Sequence, residues 1–118
     1  MSLAANNIRR KGRKVVIYDR DVKLINGIAK EVFSNPIKTL ARVCTVKGIS
    51  VFDSTNTERV ATHKLIMFYD ASITAEKWIA FKGKYIKILT VENCCEADEI
   101  INIMATERGE DSKVINNA

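Results

Sequence analysis

The sequence predicts a mainly β protein, a small antiparallel β-barrel or sandwich of about six strands with a long inter-strand loop and flexible termini. Three observations predict this class: short runs of alternating apolar and polar residues recur, turn-forming residues separate them, and the chain contains a single proline. Its 118 residues, 47% hydrophobic and 28% charged, fit one folded domain. We divide the chain into a flexible basic arm at 1–13, one barrel domain at 14–108 and a polar C-terminal tail at 109–118.

The N-terminal half contains the first predicted hairpin. Residues 14–18 are rich in β-branched side chains, which favour a strand. Asn26-Gly27 follows between apolar residues, and because both types tolerate positive φ this pair indicates a tight hairpin turn. A helix over 22–32 is the competing interpretation, which Gly27 disfavours. Pro36 is expected to break the chain before a strand at 38–46.

The remaining elements alternate between strands and turns. Residues 47–58 end in a polar, turn-rich stretch, so we expect a long exposed loop there. Strands are predicted at 59–69, 78–81 and 85–91, separated by turns at 70–72 and 82–84. Residues 97–106 fit either a strand or a helix.

The chain offers little that points to catalysis. His63, its single histidine, lies within an alternating strand, and a structural hydrogen bond is the favoured interpretation because no orienting partner stands in a recognisable motif. A small enzyme using His63 and Cys44 is the weakest of the hypotheses. Zinc-ligand spacings, phosphate-binding loops and dinucleotide-binding motifs are all missing from the sequence. We therefore expect no enzyme activity, no cofactor and no metal.

Cysteine usage and hydropathy indicate the cellular compartment. Cys44, Cys94 and Cys95 form an odd set with one adjacent pair, which is a poor disulfide framework and indicates reduced thiols in a cytosolic compartment. The longest apolar run, at 65–69, is far shorter than a membrane helix, so we expect no membrane partner.

Charge is distributed unevenly along the chain. The net charge is +5, and the first fourteen residues hold five bases and no acid, whereas acids concentrate towards the C-terminus. This arm is either a solvated end or a docking site for DNA or a protein partner, through Arg9, Arg10, Lys11, Arg13 and Lys14. The alternative function is therefore a small β-barrel nucleic-acid-binding module. The aromatic residues that could stack bases are more typical of a core: Phe52, Tyr69, Trp78, Phe81 and Tyr85.

Several motifs, taken in order, resemble the head–tail joining proteins of tailed bacteriophages, also called head-completion or stopper proteins. The similar segments are 61–69, 73–74, 78–88 and 91–93, and the resemblance extends over about 15–108. Leu40 stands where the family often has tryptophan. The residues that carry the motifs are Thr62, His63, Ile73, Thr74, Trp78, Gly83 and Tyr85.

The resemblance implies a structural virion protein at the head–tail interface, made in the host bacterial cytoplasm. It implies a connector ring of copies of this chain below the portal and adaptor proteins, which completes the head and provides the attachment surface for tail-completion or tail proteins. It also implies that 97–106 form a strand and that one loop projects into the channel and helps retain packaged double-stranded DNA. Carried onto this sequence, that channel segment is Lys47, Gly48, Ile49, Ser50, Val51, Phe52, Asp53, Ser54, Thr55, Asn56, Thr57 and Glu58.

Overall fold

The computed structural model describes residues 3–53, 55–94 and 98–107. Its elements are α1 Leu3–Lys11, β1 Arg13–Ile25, β2 Ile28–Phe52, β3 Glu58–Phe68, β4 Trp78–Phe81, β5 Lys84–Asn93 and β6 Ile100–Glu107. The six antiparallel strands close into a barrel in the order β1-β2-β3-β6-β5-β4, with β4 pairing back onto β1. The predicted mainly β class is confirmed. Ser54, Cys95 and the predicted polar tail at 109–118 lie outside the described residues.

The barrel interior follows from the alternation of side chains along the strands. In β3, Ala61, His63, Leu65 and Met67 are buried while the residues between them point outwards, as the sequence predicts. Equivalent positions on the other strands complete the core, which is rich in isoleucine. Its members are Val15, Ile17, Ala41, Leu65, Met67, Ile73, Ile79, Ile86, Ile88, Ile101, Ile103 and Ala105.

The hairpin predicted at Asn26-Gly27 is confirmed, with positive φ at both residues (53° and 78°). The prediction that Pro36 breaks the chain is wrong, because β2 continues through it. Between the pairs Ile17↔Ile37 and Asp19↔Ser34, two residues of β2 stand opposite one residue of β1. This bulge accommodates a proline, since a bulged position need not donate to the neighbouring strand.

The long exposed loop expected at 47–58 is also largely wrong. Residues 47–52 continue β2 and Glu58 begins β3, so the connection between the two strands is much shorter than predicted. A second bulge on β2 separates the pairs Thr45↔His63 and Ile49↔Ala61, and Gly48 there has a φ of 52°. The polar composition that suggested a loop belongs to an exposed strand pair and its turn.

Two further expectations are settled near the ends of the chain. Ile100–Glu107 form strand β6, so the strand interpretation of the ambiguous C-terminal segment is correct. Within the arm expected at 1–13, Leu3–Lys11 form helix α1, which packs on β2 and β3 and buries Ile8 completely. No helix among the described residues is long and apolar enough to cross a bilayer.

Gly12 ends helix α1 against the barrel. Its N–H donates to the carbonyl oxygen of Ile8 at 2.8 Å. A Cβ at this position would lie 2.2 Å from that same oxygen and 3.3 Å from Cβ of Leu40. Only glycine therefore allows the helix to close onto β2 in this way.

Candidate interaction surfaces

Beyond the barrel wall, β1 and β2 continue as a two-stranded hairpin over residues 19–34, which we call the outer hairpin. Its pairs run from Asp19↔Ser34 to Ile25↔Ile28, and these positions pair with no third strand among the described residues. Apolar side chains at its tip are strongly exposed, with 78% of Leu24 and 60% of Ile28 open to solvent. Such a tip gains hydrophobic stabilisation only when another surface covers it.

One face of the outer hairpin also carries an unfavourable charge pair. Lys23 lies directly opposite Lys30 in the register, and both side chains are exposed. Like charges at opposite positions of a strand pair are destabilising. Neither amine forms an ion pair within the part of the chain that the structure describes.

The base of the outer hairpin is held on the barrel by aromatic contacts. The ring of Phe33 stacks on that of Tyr85, with centroids 4.4 Å apart and planes 4° from parallel. Tyr18 and Trp78 meet the same ring edge-on, at 6.0 Å and 6.4 Å. Such packing fixes the direction in which the hairpin leaves the barrel.

Polar contacts reinforce this base. Asp19 accepts a hydrogen bond from Nδ2 of Asn35 at 2.8 Å and forms an ion pair with Lys77 at 3.0 Å. The hydrogen bond from Asn35, followed by that from Lys77, lowers the pKa of Asp19 below its ordinary value. The bulge and the outer hairpin are thereby tied to the segment that precedes β4.

The β2–β3 turn is organised around one buried carboxylate. Oδ1 of Asp53 accepts hydrogen bonds from the N–H of Thr55 at 2.9 Å, the hydroxyl of Thr55 at 2.6 Å and the N–H of Thr57 at 3.0 Å. Its Oδ2 accepts from Nε of Arg59 at 3.2 Å, and the side chain is only 2% exposed. The hydrogen bond from the Thr55 hydroxyl is the largest of the effects that hold the pKa of Asp53 far below its ordinary range. The predicted channel segment therefore contains a turn held by side-chain hydrogen bonds.

Exposed apolar side chains accompany this turn as well. Phe52 is 65% exposed and Ile49 45% exposed. Phe52 and Asp53 line a cleft of about 420 Å³ whose opposite wall includes Ile73, Thr74 and residues of β5. Of the predicted motif residues, Ile73 and Thr74 thus lie beside the channel segment.

His63 takes the structural role predicted for it. The side chain is 6% exposed, and its Nδ1 lies 2.9 Å from the hydroxyl oxygen of Thr62, which accepts the N–H of Glu107 at 2.7 Å. Burial lowers the pKa of His63; Glu107 acts in the opposite direction and Lys84 in the same direction. Among the described residues, no three Asp, Glu, Cys or His side chains gather closely enough to hold a metal ion.

The remaining predicted residues divide between turns and surface. Gly83 has a φ of 75° in the β4–β5 turn, a conformation that favours glycine. The expectation that the aromatic residues are core is wrong for Phe52, Tyr69 and Tyr85, which are exposed, whereas Trp78 and Phe81 are half-buried. The alternation that identified the strands does not fix which strand face meets solvent at a barrel rim.

The basic residues predicted as a docking site are brought together, and the structure adds others. Arg10, Lys11 and Arg13 line a cleft of about 440 Å³ with Arg42 of β2. Lys14 lies beside Lys38 along a second cleft, of about 600 Å³. Arg9 covers the ring of Phe68, with its guanidinium carbon 5.5 Å from the centroid. Lys38 and Arg42 were missed from sequence because they are far from the arm, although both occupy outward positions of a predicted strand.

Comparisons with known proteins inform the fold. No family model matches the chain, and no curated protein matches it. A solved structure described as the virion of a native gene transfer agent particle contains a similar chain, with a TM-score of 0.56 and 12% sequence identity. The alignment covers 80% of this chain and 93% of that chain. At this identity the similarity establishes a shared fold.

Proposed function

We propose that this chain is a structural protein of a phage-like virion, and that its copies form a ring in the head–tail connector below the portal and adaptor proteins. There it completes the head, helps retain packaged double-stranded DNA and offers the attachment surface for tail-completion or tail proteins. Two similarities support this proposal: the ordered motifs shared with head–tail joining proteins, and the fold shared with a chain of a gene transfer agent virion. In this role the protein acts by assembly and carries no catalytic site.

The outer hairpin is the observation that carries the proposal. An isolated two-stranded hairpin is only marginally stable in water, and this one exposes Val22, Leu24, Ile25 and Ile28 at its tip. A ring requires a heterologous interface, in which one surface of each copy meets a different surface of the next. A projecting apolar tip on a braced base supplies one half of such an interface.

The channel segment fits a role as an obstruction. Its tip holds its shape through Asp53 and presents Phe52 and Ile49 to solvent. Lys47, Asp53 and Glu58 mix charges of both signs, so the segment has no strong electrostatic attraction for DNA. In a ring, copies of this tip would narrow the channel by packing against one another.

Electron microscopy of lysates from a phage with this gene deleted tests the proposal. We expect separate tails beside tailless heads, many of them without DNA, and recovery of tailed particles when the intact gene is supplied. Normal tailed, DNA-filled virions without the gene would contradict the proposal.

A double substitution tests the outer hairpin's role in assembly apart from the stability of the barrel. Leu24→Ser with Ile28→Ser removes exposed apolar surface, so we expect the free energy of unfolding to change by less than about 0.5 kcal/mol while complementation fails. Tyr69→Ser, also at an exposed site but outside both hairpin tips, is the matched control and should restore virions. Full complementation by the double variant would exclude the outer hairpin as an assembly contact.

A further inference from the structure

The outer face of strands β1, β2 and β3 is basic across its width. Residues paired in an antiparallel sheet share a face, and Lys14 pairs with Leu40 while Val16 pairs with Lys38. Arg42 pairs with Ile66, and Cys44 with Lys64. All four basic residues therefore lie opposite the face that buries Val15, Ala41 and Leu65. We call Lys14, Lys38, Arg42 and Lys64, together with Arg10 and Lys11 at the end of helix α1, the basic face.

Helix α1 lies on this same side of the sheet. Arg9 covers Phe68, which shares the outward positions of β3, and the end of the helix meets β2 at Gly12. The last turn of the helix is thereby fixed beside Arg42. A cluster that the sequence places in a terminal arm becomes continuous with charges from three strands.

Acids are missing from every segment that builds the basic face. Residues 1–18, 32–52 and 59–69 contain no aspartate or glutamate. The barrel's acids lie elsewhere, and Glu107, at the end of β6, forms an ion pair with Lys84 of β5. Because no neighbouring carboxylate on these segments neutralises the face, its positive potential extends into solvent.

We infer that the basic face binds the phosphate backbone of duplex nucleic acid without reading its sequence. Arginine matches phosphate oxygens with a planar, bidentate fork, and Arg10 and Arg42 line one cleft. Lys14, Lys38 and Lys64 are exposed on adjacent strands, spaced so that several phosphates are neutralised at once. The inference does not depend on the connector role.

Two other polyanions fit this face less well. The strongly exposed large apolar residues are on the hairpins and at strand ends, not on the basic face, so it has nothing to insert into a bilayer. The rings at outward positions of β1 and β3 are already engaged, since Phe68 is half-buried beneath Arg9 and Tyr18 packs on Phe33, so unstacked bases of a single strand find no open platform. Both differences favour a duplex.

Fluorescence anisotropy with a labelled duplex of about 20 base pairs tests the inference on the intact chain. We expect a dissociation constant in the micromolar range that is the same for unrelated sequences and rises steeply between about 50 and 200 mM salt. Lys38→Gln with Lys64→Gln should weaken binding about tenfold or more at about 0.1 M salt. The slope of log affinity against log salt concentration should also fall by nearly two, because two phosphate contacts are lost.

Lys23→Gln with Lys30→Gln is the matched control, because it removes the same charge from two exposed strand positions on the outer hairpin. We expect it to leave both the affinity and the salt dependence unchanged. Equal losses in the two double variants would overturn the assignment, since net charge alone would then explain binding. Preferential binding to polyglutamate or to vesicles of anionic lipid, or no binding to the duplex, would overturn it as well.

Discussion

The two hairpins that share strand β2 differ in what holds the conformation of their tips. At the β2–β3 tip, Asp53 satisfies two N–H groups and a hydroxyl, so the turn is held from within. At the outer tip, described residues 23–30 form no side-chain hydrogen bond, and Asn26-Gly27 sets the backbone alone. One tip is therefore held by its own hydrogen bonds, whereas the outer hairpin is held at its aromatic base.

Removing the buried carboxylate gives the largest expected effect. Asp53→Ala leaves the N–H groups of Thr55 and Thr57 without this acceptor and removes a carboxylate that Arg59 contacts, so we expect the free energy of unfolding to fall by about 2–3 kcal/mol. Urea denaturation measures the loss, and amide exchange should accelerate around residues 50–60.

Asp70→Ala is the matched control for this prediction. Asp70 accepts from the N–H and hydroxyl of Ser72 in a similar local turn, but it is exposed, so its loss should change the free energy of unfolding by about 0.5 kcal/mol or less. Similar losses for both variants would mean that burial of Asp53 adds nothing, and the contrast between the two tips would fail.

The aromatic base gives the second largest effect. Phe33→Ala removes the stacked contact with Tyr85 and the edge contacts with Tyr18 and Trp78, and because Phe33 is half-buried we expect a loss of about 2 kcal/mol. Amide exchange should accelerate across 19–34 and stay unchanged at the β2–β3 turn. Phe33→Leu, which retains apolar bulk, should lose less than half as much. Uniform acceleration over the whole barrel would show that the outer hairpin is not held separately.

Mild acid should lower the stability of the barrel through His63 of β3. His63 has a folded-state pKa below the 6.5 of the unfolded chain, so the unfolded chain binds its proton more tightly. The resulting stability is complete above pH 6.5 and is lost as pH falls through the folded-state pKa. Urea midpoints between about pH 7.5 and 5 should therefore decline, and His63→Gln should flatten that decline. A decline of equal size in the variant would assign it to other groups.

The barrel was predictable because its signals are local. Alternation along β3, the Asn26-Gly27 pair and the turn at Gly83 each specify a strand or a turn without reference to the rest of the chain. The structural role of His63 followed from its position in such a strand. Residues 97–106 were ambiguous between a strand and a helix, because the pairing of β6 with β3 and β5 determines their conformation.

What was missed depends on contacts between distant segments. Pro36 is tolerated because the bulge opposite Tyr18 leaves room for it. Helix α1 forms because Ile8 is buried on the barrel, a stabilisation that local composition does not contain. The basic face required the register of three strands, which places Lys38 and Lys64 beside a helix that precedes them by many residues.

Strand β2 has a mechanical consequence. Its 25 residues would span roughly 80 Å if straight, yet the longest dimension of the molecule is 50 Å, so the strand bends. Both irregularities of its pairing, near Asn35 and near Gly48, insert extra residues on β2 itself. A force applied to the outer tip would therefore be transmitted along the backbone of β2, past its two bulges, to the β2–β3 tip. A partner bound to the outer hairpin would thus be mechanically coupled to the β2–β3 turn through a single strand.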